Sequence, residues 1–157
     1  MREPHSLLLL LVVAFTIHNI EEVVLDLPSW IAHAYRTSAY MSSVAFQIAA
    51  FGVTLIAWAI FVAYRLRPER RLYVWLAGLV SATLMVNCLS HIGQSIVHRS
   101  LMPGVYSAVI LLGPISAVAL FCFARELSLS KPGLLMLIIS GGALQILIAL
   151  LTIQADK

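Results

Sequence analysis

Several ionisable side chains of this sequence stand where hydrocarbon should surround them. His18, Glu21 and Glu22 interrupt an apolar run that begins at Leu7, and Asn87 and His91 interrupt a second one. An ionisable group inside a membrane span is strongly disfavoured unless it is paired, hydrated or metal-bound, which makes such residues functional candidates. On a helix, Glu21 and Glu22 come three and four residues after His18 and so both lie beside it. Thr83, Asn87, His91, Gln94, Ser95 and His98 share one stripe of another helix, at spacings of three, four and seven. Two chemistries suit this set. His18 and Glu22, at i and i+4, with His91 as a third ligand, make the donor set of a divalent metal, zinc or iron, that keeps one position open. Glu21 is then the general base or a further carboxylate, and Asn87 an orienting hydrogen-bond partner in the catalytic set. Without a metal, a glutamate beside a histidine is an acid–base pair.

The elements that position these residues follow from composition. The 157 residues are 61% hydrophobic and 11% charged, with mean hydropathy +0.97, whereas soluble domains run about 45–50% apolar and about 25% charged. A backbone in lipid must satisfy itself within helices or a closed barrel. Long unbroken apolar segments exclude the ten-residue alternation of a barrel. The expected fold is all-α: a single integral membrane domain over 1–157 with about five transmembrane helices and no soluble part. At about twenty residues per crossing, the spans fall near 7–27, 41–64, 72–98, 104–124 and 134–153. The first resembles a signal peptide, but no small-x-small cleavage site follows it, so it reads as an uncleaved span. Gly113-Pro114 should kink the fourth span, and Ala45, Ala49 and Gly52 offer a small-residue face on the second. A short helix near 29–38, opened by Pro28 and carrying Trp30 and Tyr35 on one face, should lie in the interface plane over the outer mouth of the bundle.

Seven of the ten Lys and Arg residues (Arg2, Arg65, Arg67, Arg70, Arg71, Arg125 and Lys131) fall on one side of a five-span chain. The positive-inside rule then places the N-terminus in the cytoplasm and the C-terminus outside a plasma membrane. None of the basic runs is long enough for nucleic acid. Cys88 and Cys122 fit neither a disulfide framework nor a zinc ribbon, and their depths differ by more than about 7 Å, too far to bridge. Counting about 1.5 Å per residue from the outer ends of the spans, Glu22, His18, His91, Asn87, Gln47 and Gln145 all fall between about 7 and 16 Å deep. Four helices thus bring polar groups to one layer, and the inner half is nearly devoid of them. Gln47 and Gln145 read as hydrogen-bonding glue between helices, and His33 and His98 as interfacial histidines.

The pentapeptide His18-Asn19-Ile20-Glu21-Glu22 resembles the signature of the HXXEE-domain proteins, small multi-span membrane proteins of undefined function. Asn87-Cys88-Leu89-Ser90-His91 resembles an NxxxH element of the same group. The resemblance implies a shared site at His18, Glu21, Glu22, Asn87 and His91, and it supplies no reaction. CAAX-type intramembrane proteases require an arginine four residues after the second glutamate, where this chain has Asp26. The sequence therefore points to a small membrane enzyme doing metal-assisted or acid–base chemistry on a lipophilic molecule, with the bilayer as its surroundings. A proton-coupled transporter or binding protein, or a structural subunit of a membrane complex, are the alternatives. Transport requires access from both sides, and no polar path continues through the inner half.

Overall fold

The computed structural model describes residues 4–36 and 42–154, and every regular element among them is helical. The helices are α1 (Pro4–Val24), α2 (Leu27–Ala34), α3 (Ser43–Leu66), α4 (Arg71–His98), α5 (Val105–Glu126) and α6 (Lys131–Gln154). All but α2 are long and apolar enough to cross a membrane.

Local chemistry places the breaks. Asp26 adopts a left-handed backbone (φ 50°) that separates α1 from α2, a conformation Asp and Asn tolerate better than most residues. Its carboxylate accepts hydrogen bonds from the hydroxyls of Ser29 and Ser43, the latter at 2.9 Å. Pro28 occupies the first turn of α2, where its missing N–H is not needed. This helix starts two residues earlier than the sequence suggested and ends at Ala34, before the left-handed Arg36 (φ 52°). Residues 37 and 38 of the expected segment lie outside the described residues. Ser42 caps α3 by accepting from the Ala45 N–H at 3.2 Å.

With 28 residues, α4 is about 42 Å long, more than the roughly 30 Å of bilayer hydrocarbon. Its outer turns meet α2. The Trp30 indole N–H donates to Ser100 Oγ at 3.0 Å, and the Tyr35 hydroxyl donates to Gln94 Oε1 at 2.7 Å. The His98 ring stands edge-on to both aromatics. This strap covers the outer ends of the bundle.

Helix α4 is the hub, packed on α5 and α6, while α1 packs on α3 and α5. The core joins Leu8, Leu11 and Val12 of α1 to Ala77 and Leu84 of α4 and Phe123 of α5. The close helix contact is at Gly141 of α6, where a Cβ would lie 2.7 Å from the Thr83 nitrogen and 2.8 Å from the Ala82 carbonyl carbon. This corrects the expectation for α3. Gly52 faces open space, and α3 instead buries Ala50, Ala57 and Tyr64, one residue every two turns.

In α5 the irregularity is a π-helical turn at Ala108–Leu112 just ahead of Gly113-Pro114. The Gly113 N–H reaches back five residues to the Ala108 carbonyl, which also accepts from the Cys88 thiol at 3.1 Å. A Cβ on Gly113 would come within 2.8 Å of that sulfur. Both cysteines are free. At the end of the bundle away from α2, polar groups meet at the rim of the expected spans. The Tyr64 hydroxyl donates to the Glu126 carboxylate at 3.4–3.5 Å, and its ring contacts His5 and Phe123. His5 and Glu126 sit near helix ends, where a count of mid-span residues overlooks them.

Candidate functional site

The i, i+4 spacing in α1 stacks Glu22 one turn above His18, and the outer third of α4 brings His91 to the same level. All three are buried, with His18 at 0%, His91 at 2% and Glu22 at 7% exposure. Glu22 Oε1 lies 2.9 Å from His91 Nε2 and 3.4 Å from His18 Nε2. The two imidazoles meet edge to face, centroids 4.7 Å apart. One ligand atom from each residue lies within 4.8 Å of the others, so the group could hold a metal ion.

The second ring nitrogen of His18 orients it. Nδ1 lies 3.1 Å from the Gly104 carbonyl and 3.0 Å from Ser107 Oγ. A carbonyl can only accept, so this partner favours a proton on Nδ1. With an ion in place of the Nε2–Glu22 contact, Nε2 would offer its lone pair, the arrangement a metal-ligating histidine needs. That Nε2 has only its 3.4 Å ion-pair contact with Glu22, and His91 Nδ1 and Asn87 Oδ1 have no hydrogen-bond partner among the described residues. Buried polar atoms are normally satisfied, so these two orphans beside the His/Glu group fit a site built to take a ligand.

Gly104 is the residue that sequence reading missed. Its backbone is left-handed (φ +91°), and a Cβ there would stand 2.7 Å from His18 Cε1, 2.9 Å from Glu22 Cγ and 2.9 Å from His91 Cε1. Only glycine lets the α4–α5 turn close over all three side chains. Pro103-Gly104 was a legible turn signal, although nothing local tied it to the histidines. Gly104 precedes α5 and has no side chain with which to cap that helix. Glu21 does this instead, accepting from the Tyr106 N–H at 3.3 Å and the Ser107 N–H at 2.8 Å. A carboxylate suits a helix N-terminus, whose first amides lack partners. The two adjacent glutamates are thereby separated: Glu22 turns toward the histidines and Glu21 toward the backbone of α5.

Asn19 ties α1 to α3, donating to Thr54 Oγ1 at 2.6 Å and to the Ala50 carbonyl at 3.4 Å. Asn87, 8% exposed, lines a cavity of about 740 Å³ together with Asn19, Glu22, His91, Gln94 and Gln145. Gln47 does not join them and faces outward from α3. Depth alone placed it in the layer, but rotation about the helix axis takes it away. The cavity's other walls are mostly aliphatic side chains of α3, α4 and α6, with α2 over its outer end.

A sequence profile described as proteins of unknown function with an HXXEE motif matches residues 9–119. That stretch contains the pentapeptide at 18–22, His91 and Gly104. The chain is also similar to the uncharacterized protein YrkK of Bacillus subtilis, with 25% identity over 146 residues that cover 92% of each chain. No solved structure matches.

Proposed function

This chain belongs to the HXXEE-motif family of unknown function, and on that premise we propose that it is a membrane-embedded enzyme using a divalent metal on a lipophilic substrate. The observation that carries the proposal is the meeting of His18, Glu22 and His91 at the wall of a largely apolar cavity. His18 Nε2, His91 Nε2 and Glu22 Oε1 would hold the ion, zinc or iron, and a fourth position would face the cavity. Such an ion supplies a Lewis acid and lowers the pKa of bound water. Gly104 and Ser107 hold His18 in its ligating tautomer. Asn87, whose Oδ1 is orphaned beside the cavity, orients the polar end of the substrate. Glu21 holds the start of α5, and with it Gly104, against the ligands; committed to two amides, it leaves the role of base to another group. The cavity lining ends at Ile60 and Leu76, one turn short of the Tyr64–Glu126 pair, which favours one-sided access over transport.

Elemental analysis of the purified protein tests this. Zinc or iron should be near-stoichiometric in wild type and in a His98→Ala control, and absent from His18→Ala and His91→Ala. Equal metal in wild type and His18→Ala would end the metal reading.

A further inference from the structure

The cavity has a length and a polarity gradient that narrow the substrate class. On α4 its lining runs from His91 inward to Leu76, fifteen residues along one face, or about 22 Å. On α3, Ala50, beside Asn19, and Ile60 are ten residues apart, which with the turn from Asn19 to Glu22 gives about 20 Å. Two helices thus agree on the depth of the floor below the His/Glu group. This exceeds the roughly 15 Å of one hydrocarbon leaflet, half of the ~30 Å core. Polar lining stops at Thr83, and beyond it the walls are Val80, Leu79, Leu76, Ala57, Ile56 and Ile60. Among the described residues no lysine or arginine lines any part of it.

The packing suits access from the side better than from the end. The strap of α2 covers the aqueous end through the Trp30–Ser100 and Tyr35–Gln94 hydrogen bonds. Helices α3 and α6 meet only glancingly, although both line the cavity, so entry between them is the lateral route that the packing least obstructs.

We propose that this cavity binds a single-chain lipid with an uncharged oxygen headgroup, such as a long-chain alcohol, aldehyde or ester. The headgroup sits at Glu22, Asn87 and His91, and the chain lies along α3 and α4 down to Ile60 and Leu76. In the metal-free protein a phosphate or carboxylate head would meet the Glu22 carboxylate with no lysine or arginine in the lining to offset it, and burying an unpaired charge is strongly disfavoured. A bound divalent ion would relieve that penalty, so the headgroup preference is read on protein stripped of metal. The inference rests on the functional reading for the role of the His/Glu group, and the groove itself is tested separately.

The test uses full-length protein in vesicles and two photoreactive hexadecanols, one with a diazirine at the terminal carbon and one with it beside the hydroxyl. The terminal probe should label the Ile60, Leu76 and Leu79 segments, and the proximal probe the segment holding Asn87 and His91. Unlabelled hexadecanol should displace both, while palmitate and phosphatidylglycerol should not when the protein has been stripped of metal. Ile60→Phe and Leu76→Phe, on different helices, shorten the groove and should each lower terminal-probe labelling roughly tenfold, about 1.4 kcal/mol in binding, while octanol labelled beside its hydroxyl still marks the head segment. Labelling spread over the exposed Phe51 and Leu55 without regard to probe position would overturn the proposal, as would equal displacement by palmitate from the metal-stripped protein. Position-dependent labelling of a metal-free protein would keep the groove and remove the metal. Bound metal with indiscriminate labelling would do the reverse.

Discussion

At the scale of single residues, the HXXEE pentapeptide divides its labour: His18 and Glu22 face the site, Asn19 holds α3, and Glu21 caps α5. Gly104 is the residue with least freedom. Gly104→Ala puts a side chain at φ +91°, a backbone state that is strained for residues other than glycine, by about 1–3 kcal/mol. It also pushes on His18, Glu22 and His91, the ligands proposed above. Thermal melts should show that loss, and titration should show metal affinity falling at least about tenfold, some 1.4 kcal/mol. The ligands themselves should be dispensable for folding. Burying ionic groups often outweighs their mutual attraction, and apolar replacements of similar volume can be neutral or stabilising. A His18→Leu, Glu22→Leu, His91→Leu variant, with Glu21 kept as the cap, should therefore insert, purify monodisperse and melt no lower than metal-free wild type. Added metal should raise the melting temperature of wild type only, since the ion binds the folded state. Aggregation of the variant beside a wild type that takes up no metal would indicate an architectural role for the cluster.

At the scale of elements, two glycines of the lipid-crossing helices should behave oppositely. Gly141→Ala forces α6 off the α4 backbone, and overpacking of this kind typically costs about 1–3 kcal/mol. Gly52→Ala meets nothing within 4 Å and should stabilise α3 by about 0.5–1 kcal/mol, because alanine is the better helix former. Parallel melts decide this, and equal effects would refute the packing assignment. The α1–α2 junction has a pH signature. Hydrogen bonds from Ser29 and then Ser43 hold the Asp26 carboxylate below its ordinary range. A depressed folded-state pKa gives stability that is present above the ordinary aspartate value near 3.9 and is lost as pH falls through the lower folded value. Protease sensitivity between α1 and α3 should therefore rise on acidification below about pH 4, and Asp26→Asn should abolish that rise.

At the scale of the whole molecule, the five long helices place the His/Glu group toward one face of the bundle and the Arg65–Arg71 loop at the other. If the basic loops are cytoplasmic, a cysteine replacing Arg99 should react with an impermeant maleimide added outside intact cells, and one replacing Glu69 should not. The reverse pattern would invert the orientation and put the site in the inner leaflet. The proposed lateral entry between α3 and α6 would face lipid in either orientation.

Composition alone determined that this chain is a helical bundle suited to a membrane, because an apolar backbone in lipid has few ways to satisfy its amides. Spacing alone determined that His18 and Glu22 are neighbours, since i, i+4 residues touch on any α-helix. Matched depth nominated His91 and Asn87 as their partners from another helix. Depth says nothing about rotation, which is why Gln47 was placed in the layer and the structure turns it outward. Rotation is set by how helices pack, here by Gly141 of α6 against α4 and by Ala50, Ala57 and Tyr64 of α3. The same packing chose between the two glutamates. Adjacent residues of a helix point about 100° apart, and only the position of α5 decided that Glu21 would meet its first amides while Glu22 met the histidines.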